Sequence, residues 1–232
     1  MRMLLTSNGV QAGPIMDALL ELLDRPIAEC RTVVLLDAML PFPGDKTRML
    51  EQVQQYRSLG WAECDILTLF SGPPSGIESR LRAADVIYCY GGTNHWLAHA
   101  WEASGLAPAL GELLNEKVYV GMSAGSMIFS RLHAAAVEAL DDHEEVEMLQ
   151  LDSVGPALPL FDWYLIPHLG APYFPHSTDH WAQQTATRLG GPVWFLDDRS
   201  ALLVRDTARE PEIVSDGHWL QYDGNGTLLH SH

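Results

Sequence analysis

Short, continuously apolar runs alternate with helix-like segments along most of this chain, and that order leaves few folds open. Met3–Thr6 precedes a helical pattern over Ile15–Leu23, Val33–Leu36 precedes Asp45–Leu59, and Asp65–Leu69 precedes Ile77–Ala84. Val86–Tyr90, helical segments between Trp96 and Leu114, Val118–Gly121 and a small-residue helix from Ala124 to about Ala136 continue the pattern. A strand without polar alternation must be covered on both faces, and strands separated by helices achieve this in a parallel sheet between two helical layers. The expected architecture is therefore α/β, a doubly wound, mostly parallel sheet with helices on both faces. Further on, Trp163–Ile166, a helix over about 178–189, Val193–Leu196, Ala201–Val204, Glu212–Ser215 and Trp219–Tyr222 follow. Asp216-Gly217 and Asp223-Gly224 read as hairpin turns, which predicts antiparallel edge strands near the C-terminus. Open sheets of this class place their sites at the carboxyl ends of the parallel strands.

The 232 residues, 47% of them hydrophobic, are enough for one substantial core, so a single domain over residues 1–232 is expected. A formal charge of −16 repels phosphates at long range and argues against nucleic acid or an anionic membrane as partner. Cys30, Cys64 and Cys89 lie far apart, with neither metal-ligand spacing nor an even disulfide set, and read as free thiols. The apolar run near Met1 is shorter than a signal peptide's core, and no stretch approaches the ~18 apolar residues of a membrane span. A cytoplasmic location is the reading that follows.

Gly121-Met-Ser123-Ala-Gly125 sits between an apolar strand and a helix, the context in which G-x-S-x-G forms a nucleophile elbow. So sharp a turn crowds the residues two before and two after the serine, which must be very small. Ser123 then projects from the turn, and the amide of Ala124 faces the same space, where it can stabilise an oxyanion. A serine here also suits a helix N-cap. Gly91-Gly92-Thr93-Asn94 follows the strand Val86–Tyr90 at the same sheet edge. Gly92 can supply a second oxyanion amide, while Thr93 or Asn94 can cap the next helix.

A serine hydroxyl needs a base, and among ten histidines His168 ends an apolar strand directly after Pro167. His95 and His99 fall in a predicted helix, His133 and His143 in or near an acidic stretch, and His218, His230 and His232 in the tail, all read as surface positions. Asp197 and Asp198 lie between two apolar runs and both offer an orienting carboxylate, with Asp198 preferred; an acidic turn is the other reading. His176 and His180, four apart but without an intervening Glu of the usual kind, read as pocket-lining rather than metal-binding. The stretch from Val137 to Leu151, with Asp141, Asp142, Glu144, Glu145 and Glu147, reads as an exposed loop, or as the source of a carboxylate for a substrate's amino terminus.

With serine, histidine and acid in this order, the chain resembles the peptidase E (α-aspartyl dipeptidase) and cyanophycinase family of serine peptidases along nearly its whole length. Gly91-Gly92-Thr93-Asn94 resembles the family's G-G-G-N, Ser123-Ala124-Gly125 its S-A-G, Pro167-His168 its P-H, and Asp197-Asp198-Arg199-Ser200-Ala201 the cyanophycinase-like D-E-N-T-A. The resemblance implies a class I glutamine amidotransferase-like fold with Ser123 as nucleophile, His168 as base, Asp198 where the family commonly has glutamate, and Gly92 and Ala124 as oxyanion hole. It implies cleavage beside a free amino terminus, with Asp-X peptides as a candidate substrate, no cofactor and no metal, and a homodimer as candidate assembly. Asn94, His176 and His180 are the candidate substrate-binding residues. Thr93 departs from the family's glycine, and no arginine lies between Arg131 and Arg188, where aspartyl dipeptidases carry the one that reads aspartate. An esterase or amidase would use the same residues, and a silent amidotransferase-like binding module is the alternative from another class.

Overall fold

The computed structural model describes residues 1–232. Five parallel strands form the body of its larger sheet: β1 (Arg2–Thr6), β2 (Arg31–Leu35), β3 (Glu63–Leu67), β4 (Val86–Cys89) and β5 (Val118–Met122), in the order β3-β2-β4-β5-β1. Along β1 successive side chains enter opposite layers. Met3 and Leu5 pack with Leu81, Trp101 and Leu110 of α3 (Pro74–Ala83), α4 (Asn94–Ala103) and α5 (Ala107–Glu116). Leu4 packs on the other face with Leu19 and Val53 of α1 (Pro14–Leu23) and α2 (Thr47–Arg57). Both faces are thus dry, as the unbroken apolar runs require.

Antiparallel pairing holds toward the C-terminus as expected, except that Tyr164–Ile166 pairs in parallel with Val193–Leu196, and the strands divide between two sheets. β8 (Ser200–Val204) and β9 (Glu212–Ser215) extend the large sheet beyond β1. β6 (Tyr164–Ile166), β7 (Val193–Leu196), β10 (Trp219–Tyr222) and β11 (Leu228–Ser231) form a second sheet in the order β11-β10-β7-β6. Asp223-Gly224 lies in the antiparallel connection between β10 and β11. Asp216-Gly217 corrects the sequence reading, because it carries the chain from one sheet to the other and closes no hairpin.

Two further expectations fail for identifiable reasons. The helix after Ser123 stops after one turn, α6 (Ala124–Met127), and resumes as α7 (His133–Leu140). The strip around residues 157–161 takes over its hydrogen bonding: Ala157 N–H donates to the Ile128 carbonyl, Phe161 N–H to that of Phe129, and Arg131 N–H to that of Phe161. The acidic stretch is no loop; it closes α7 and forms α8 (His143–Met148), with Asp142 and Glu145 turned inward and Glu144 and Glu147 exposed. α9 (Asp179–Leu189) precedes β7, with Thr178 accepting from Trp181 N–H as its cap. No helix is long and apolar enough to cross a membrane.

A short 3-10 turn, Asp37–Met39, connects β2 to the sheet edge where Gly92 lies. The Asp37 carboxylate is 2% exposed and accepts the Leu69 N–H at 3.0 and 3.1 Å. Burial outweighs those bonds and lifts its carboxyl to about 6. A folded-state value above the unfolded one means that the folded chain holds this proton more tightly. The contribution of Asp37 to stability is therefore complete below about pH 4 and is lost as pH rises through 6. Asp37→Asn, which cannot ionise, is expected to gain on the wild type by on the order of 3 kcal/mol between pH 4 and 7. Urea unfolding at both pH values tests this, and a stability difference that does not change with pH would refute it.

Candidate active site

β5 ends in a tight turn into α6. A Cβ on Gly121 would lie 2.6 Å from the Gly125 carbonyl oxygen, and one on Gly125 would lie 2.2 Å from that of Cys89, so neither position accepts a larger residue. Between them Ser123 adopts φ +51° and ψ −115°, a conformation costly for any side chain. The turn is pinned from beneath. Ser123 N–H and Ser126 Oγ both donate to the Thr6 carbonyl, at 3.0 and 2.8 Å, and the Tyr119 hydroxyl donates to the Gly125 carbonyl at 2.6 Å. Ser123 stands at the N-cap position of α6, yet its side chain makes no cap hydrogen bond. Instead Ser123 Oγ lies 2.8 Å from His168 Nε2.

His168 follows β6 and comes from the second sheet. Its backbone is left-handed, φ +65°, and its N–H donates to Ser7 Oγ at 2.8 Å. Ser7 Oγ donates in turn to the Leu196 carbonyl at 3.2 Å, and Ser7 N–H to the Ser200 carbonyl at 3.1 Å. His168 Nδ1 lies 2.7 Å from Asp198 Oδ1. Asn8 Nδ2 donates to Asp198 Oδ2 at 3.2 Å, and the Tyr173 hydroxyl donates to the same oxygen. Burial raises the Asp198 carboxyl, but the hydrogen bonds of His168 and Tyr173, with the charges of His168 and Arg48, outweigh it and hold the group below its ordinary value. A carboxylate so held stays ionised and can stabilise an imidazolium at His168.

Asp197 faces away. Its oxygens accept from Arg199 N–H at 3.0 Å, Ser200 Oγ at 2.6 Å and His218 N–H at 2.7 Å. These bonds tie the turn between β7 and β8 to Ser200, the first residue of β8, and to His218, which precedes β10.

Residues 3–210 match the family model described as Peptidase family S51. The chain belongs to that family. Membership in S51 makes it a serine peptidase, a hydrolase. No curated protein matches it in sequence. Among solved structures, a candidate peptidase E protein from Listeria monocytogenes EGD-e is similar at TM-score 0.70 and 20% identity, covering 93% of this chain and 98% of that one. A peptidase from an acI-B1 Actinobacterium is similar at TM-score 0.66 and 18% identity, covering 100% of this chain and 96% of that one. At such identities the likeness establishes a shared peptidase E-like fold.

In this S51 peptidase the second glycine turn packs against the elbow. Gly92 has φ +136°, and a Cβ there would meet the Ala38 carbonyl oxygen at 2.2 Å. The Gly92 N–H donates to no group of the protein. Thr93 N–H donates to Ala38 at 2.8 Å, and Thr93 Oγ1 accepts from Trp96 N–H at 3.3 Å, capping α4. Asn94 donates to the Tyr164 hydroxyl at 3.1 Å and, like Gly92, lines a hollow beside Ser123. His176 and Trp181 line the same hollow. His180 does not; it is exposed and 3.2 Å from Gln184. The four-residue spacing of His176 and His180 never reaches one helix face, because α9 begins only at Asp179. A second hollow opens on the other side of Ser123 and His168, where Arg48 sits 4.3 Å over the Tyr173 ring.

The sequence reading missed several of these residues. Ser7 and Asn8 lie just past the carboxyl end of β1, the strand beside β5, a position that marks site residues in such sheets. Phe174 stacks on the His168 ring, centroids 5.3 Å apart at 15°. His95 and His133, read as surface residues, are 1% and 0% exposed. His133 Nδ1 lies 3.3 Å from the Met127 carbonyl, and its Nε2 lies 3.3 Å from His95 Nδ1. His95 Nε2 lies 3.1 Å from Asp142. Burial and the neighbouring His95 push His133 down to about 3, so it is neutral at pH 7.

Proposed function

We propose that this S51 peptidase is an exopeptidase that cleaves the peptide bond next to a free amino terminus through an acyl-enzyme. The observation that carries the reading is the unbroken chain of contacts from Ser123 Oγ through His168 to Asp198, at 2.8 and 2.7 Å, on a strained elbow. His168 Nε2 takes the Ser123 proton as the hydroxyl attacks the scissile carbonyl, while Asp198 fixes the tautomer and stabilises the imidazolium. The unengaged Gly92 N–H and the amide of Ala124 receive the developing oxyanion. His168 then protonates the leaving amine, and a water activated by the same imidazole hydrolyses the ester.

One domain, residues 1–232, carries the whole reaction, with a small peptide as substrate. The hollow that Glu145 lines beside Ser123 holds no Lys or Arg to pair with an aspartate side chain, whereas Arg48 lies in the second one. Three free thiols fit a reducing cytoplasm.

A fluorophosphonate probe is expected to label the wild type and not Ser123→Ala. Acetylating the amino terminus of a cleaved peptide is expected to abolish its turnover. Equal rates on free and acetylated peptides would sink the exopeptidase assignment, and absence of labelling on folded protein would sink the hydrolytic one.

A further inference from the structure

The hollow on the α8 side of Ser123 carries a charge that the chemistry above does not use. Glu145 and Asp142 both line it, and it contains no Lys or Arg. Their partners separate the two acids. Asp142 Oδ2 lies 3.1 Å from His95 Nε2, and the His95 ring is linked in turn to His133 and the Met127 carbonyl. Glu145 has no such partner: it is half-buried, forms no salt bridge, and has the Thr93 hydroxyl as its one hydrogen-bond donor. Thr93 is the residue that replaces a glycine of the motif, so the departure that marks this chain is what holds the carboxylate beside Gly92.

A second polar group in the same hollow lacks a partner. Ser177 is 3% exposed and its Oγ has no hydrogen-bond partner, although it lines the cavity with Glu145. Buried hydroxyls are nearly always paired, so a partner that arrives with the substrate is the natural completion. An ammonium, a cationic donor with several N–H bonds, can satisfy both an unpaired carboxylate and a free hydroxyl oxygen. The aromatic walls, Phe174 and Trp181, can cover an aliphatic stem.

We infer that Glu145, with Ser177, binds a protonated amine on the residue whose carbonyl Ser123 attacks, so that this peptidase selects cationic acyl-side residues. The inference rests on the hydrolytic reading above. The ammonium can come from the substrate's α-amine or from a lysine-like side chain, and the two sources separate experimentally.

Reporter amides of lysine and of norleucine, its isostere without the amine, are compared with and without α-acetylation. In the wild type at least one contrast, lysine over norleucine or free over acetylated, is expected to exceed about tenfold in kcat/KM. The contrast that is large identifies the source. Glu145→Gln is expected to reduce it to near unity, Glu145→Asp to retain part of it, and Ser177→Ala to lower it by a smaller factor. Calorimetry on Ser123→Ala with lysinamide, norleucinamide and acetylnorleucinamide tests the same preference without turnover. Flat contrasts in the wild type, or contrasts that Glu145→Gln leaves unchanged, overturn the inference. If fluorophosphonate still labels Ser123 in that case, only the ammonium reading has failed; if folded protein is not labelled while lysinamide binding is lost in a Ser123→Ala, Glu145→Gln double variant, only the hydrolytic reading has.

Discussion

Ser123→Ala is expected to lower kcat by roughly 10⁴- to 10⁶-fold with no change in fold, because the attacking oxygen is removed while the rest of the site remains. The informative companion is Ser123→Gly. Both variants lack the nucleophile, but only glycine adopts φ +51° and ψ −115° without strain. Relief of a backbone strain of about 1–3 kcal/mol exceeds the entropic penalty of glycine, about 0.5–1 kcal/mol. Ser123→Gly is therefore expected to be inactive and more stable than the wild type by about 1 kcal/mol, which corresponds to a rise in Tm of about 2–4 °C. Calorimetric melting of the three proteins decides it. A Ser123→Gly protein that melts below the wild type would mean that the turn is not held under strain.

The second large effect separates two adjacent acids. Asp198→Asn is expected to keep the fold and lower kcat by roughly 10²–10⁴, since an amide cannot stabilise the imidazolium and can hold His168 in the wrong tautomer. Asp197→Asn is expected to do the reverse. Its carboxylate accepts three donors at the turn, and an amide offers its own N–H groups to at least one of them, which costs about 1–3 kcal/mol of stability. Activity per folded molecule should stay within a few-fold of the wild type. Kinetics and melting curves for both variants on one substrate provide the test, and a larger loss of kcat in Asp197→Asn would exchange the two roles.

Much of this arrangement was legible because its causes are local. Runs such as Val33–Leu36 and Val86–Tyr90 can only be covered strands, and Gly121 and Gly125 flank a serine in a turn that tolerates nothing larger. The same reasoning put Ser123, His168 and Asp198 forward, and they meet. What stayed hidden depends on partners distant in sequence. Where the last strands divide, Asp197 bonds to His218 and Ser200, and where α6 ends early, backbone groups around residues 157–161 take up its hydrogen bonding. The acidic stretch misled because charge density normally means solvent. Its one legible signal was that Asp142 and Glu145 stand three apart and can share a helix face. Ser7, Asn8 and Tyr173 are ordinary loop residues until the sheets that carry them are brought together.

The proposed nucleophile and base belong to different sheets: Ser123 ends a strand of the seven-stranded sheet, and His168 follows a strand of the four-stranded one. Ser7 joins the two through single hydrogen bonds to His168 and Leu196. A slip of the sheets by about 1 Å would leave nearly every backbone ladder intact and yet take Ser123 out of reach of His168. Turnover therefore acts as a ruler laid across this seam. It registers sliding that circular dichroism does not see, and mild denaturant should silence the enzyme well before the secondary structure melts.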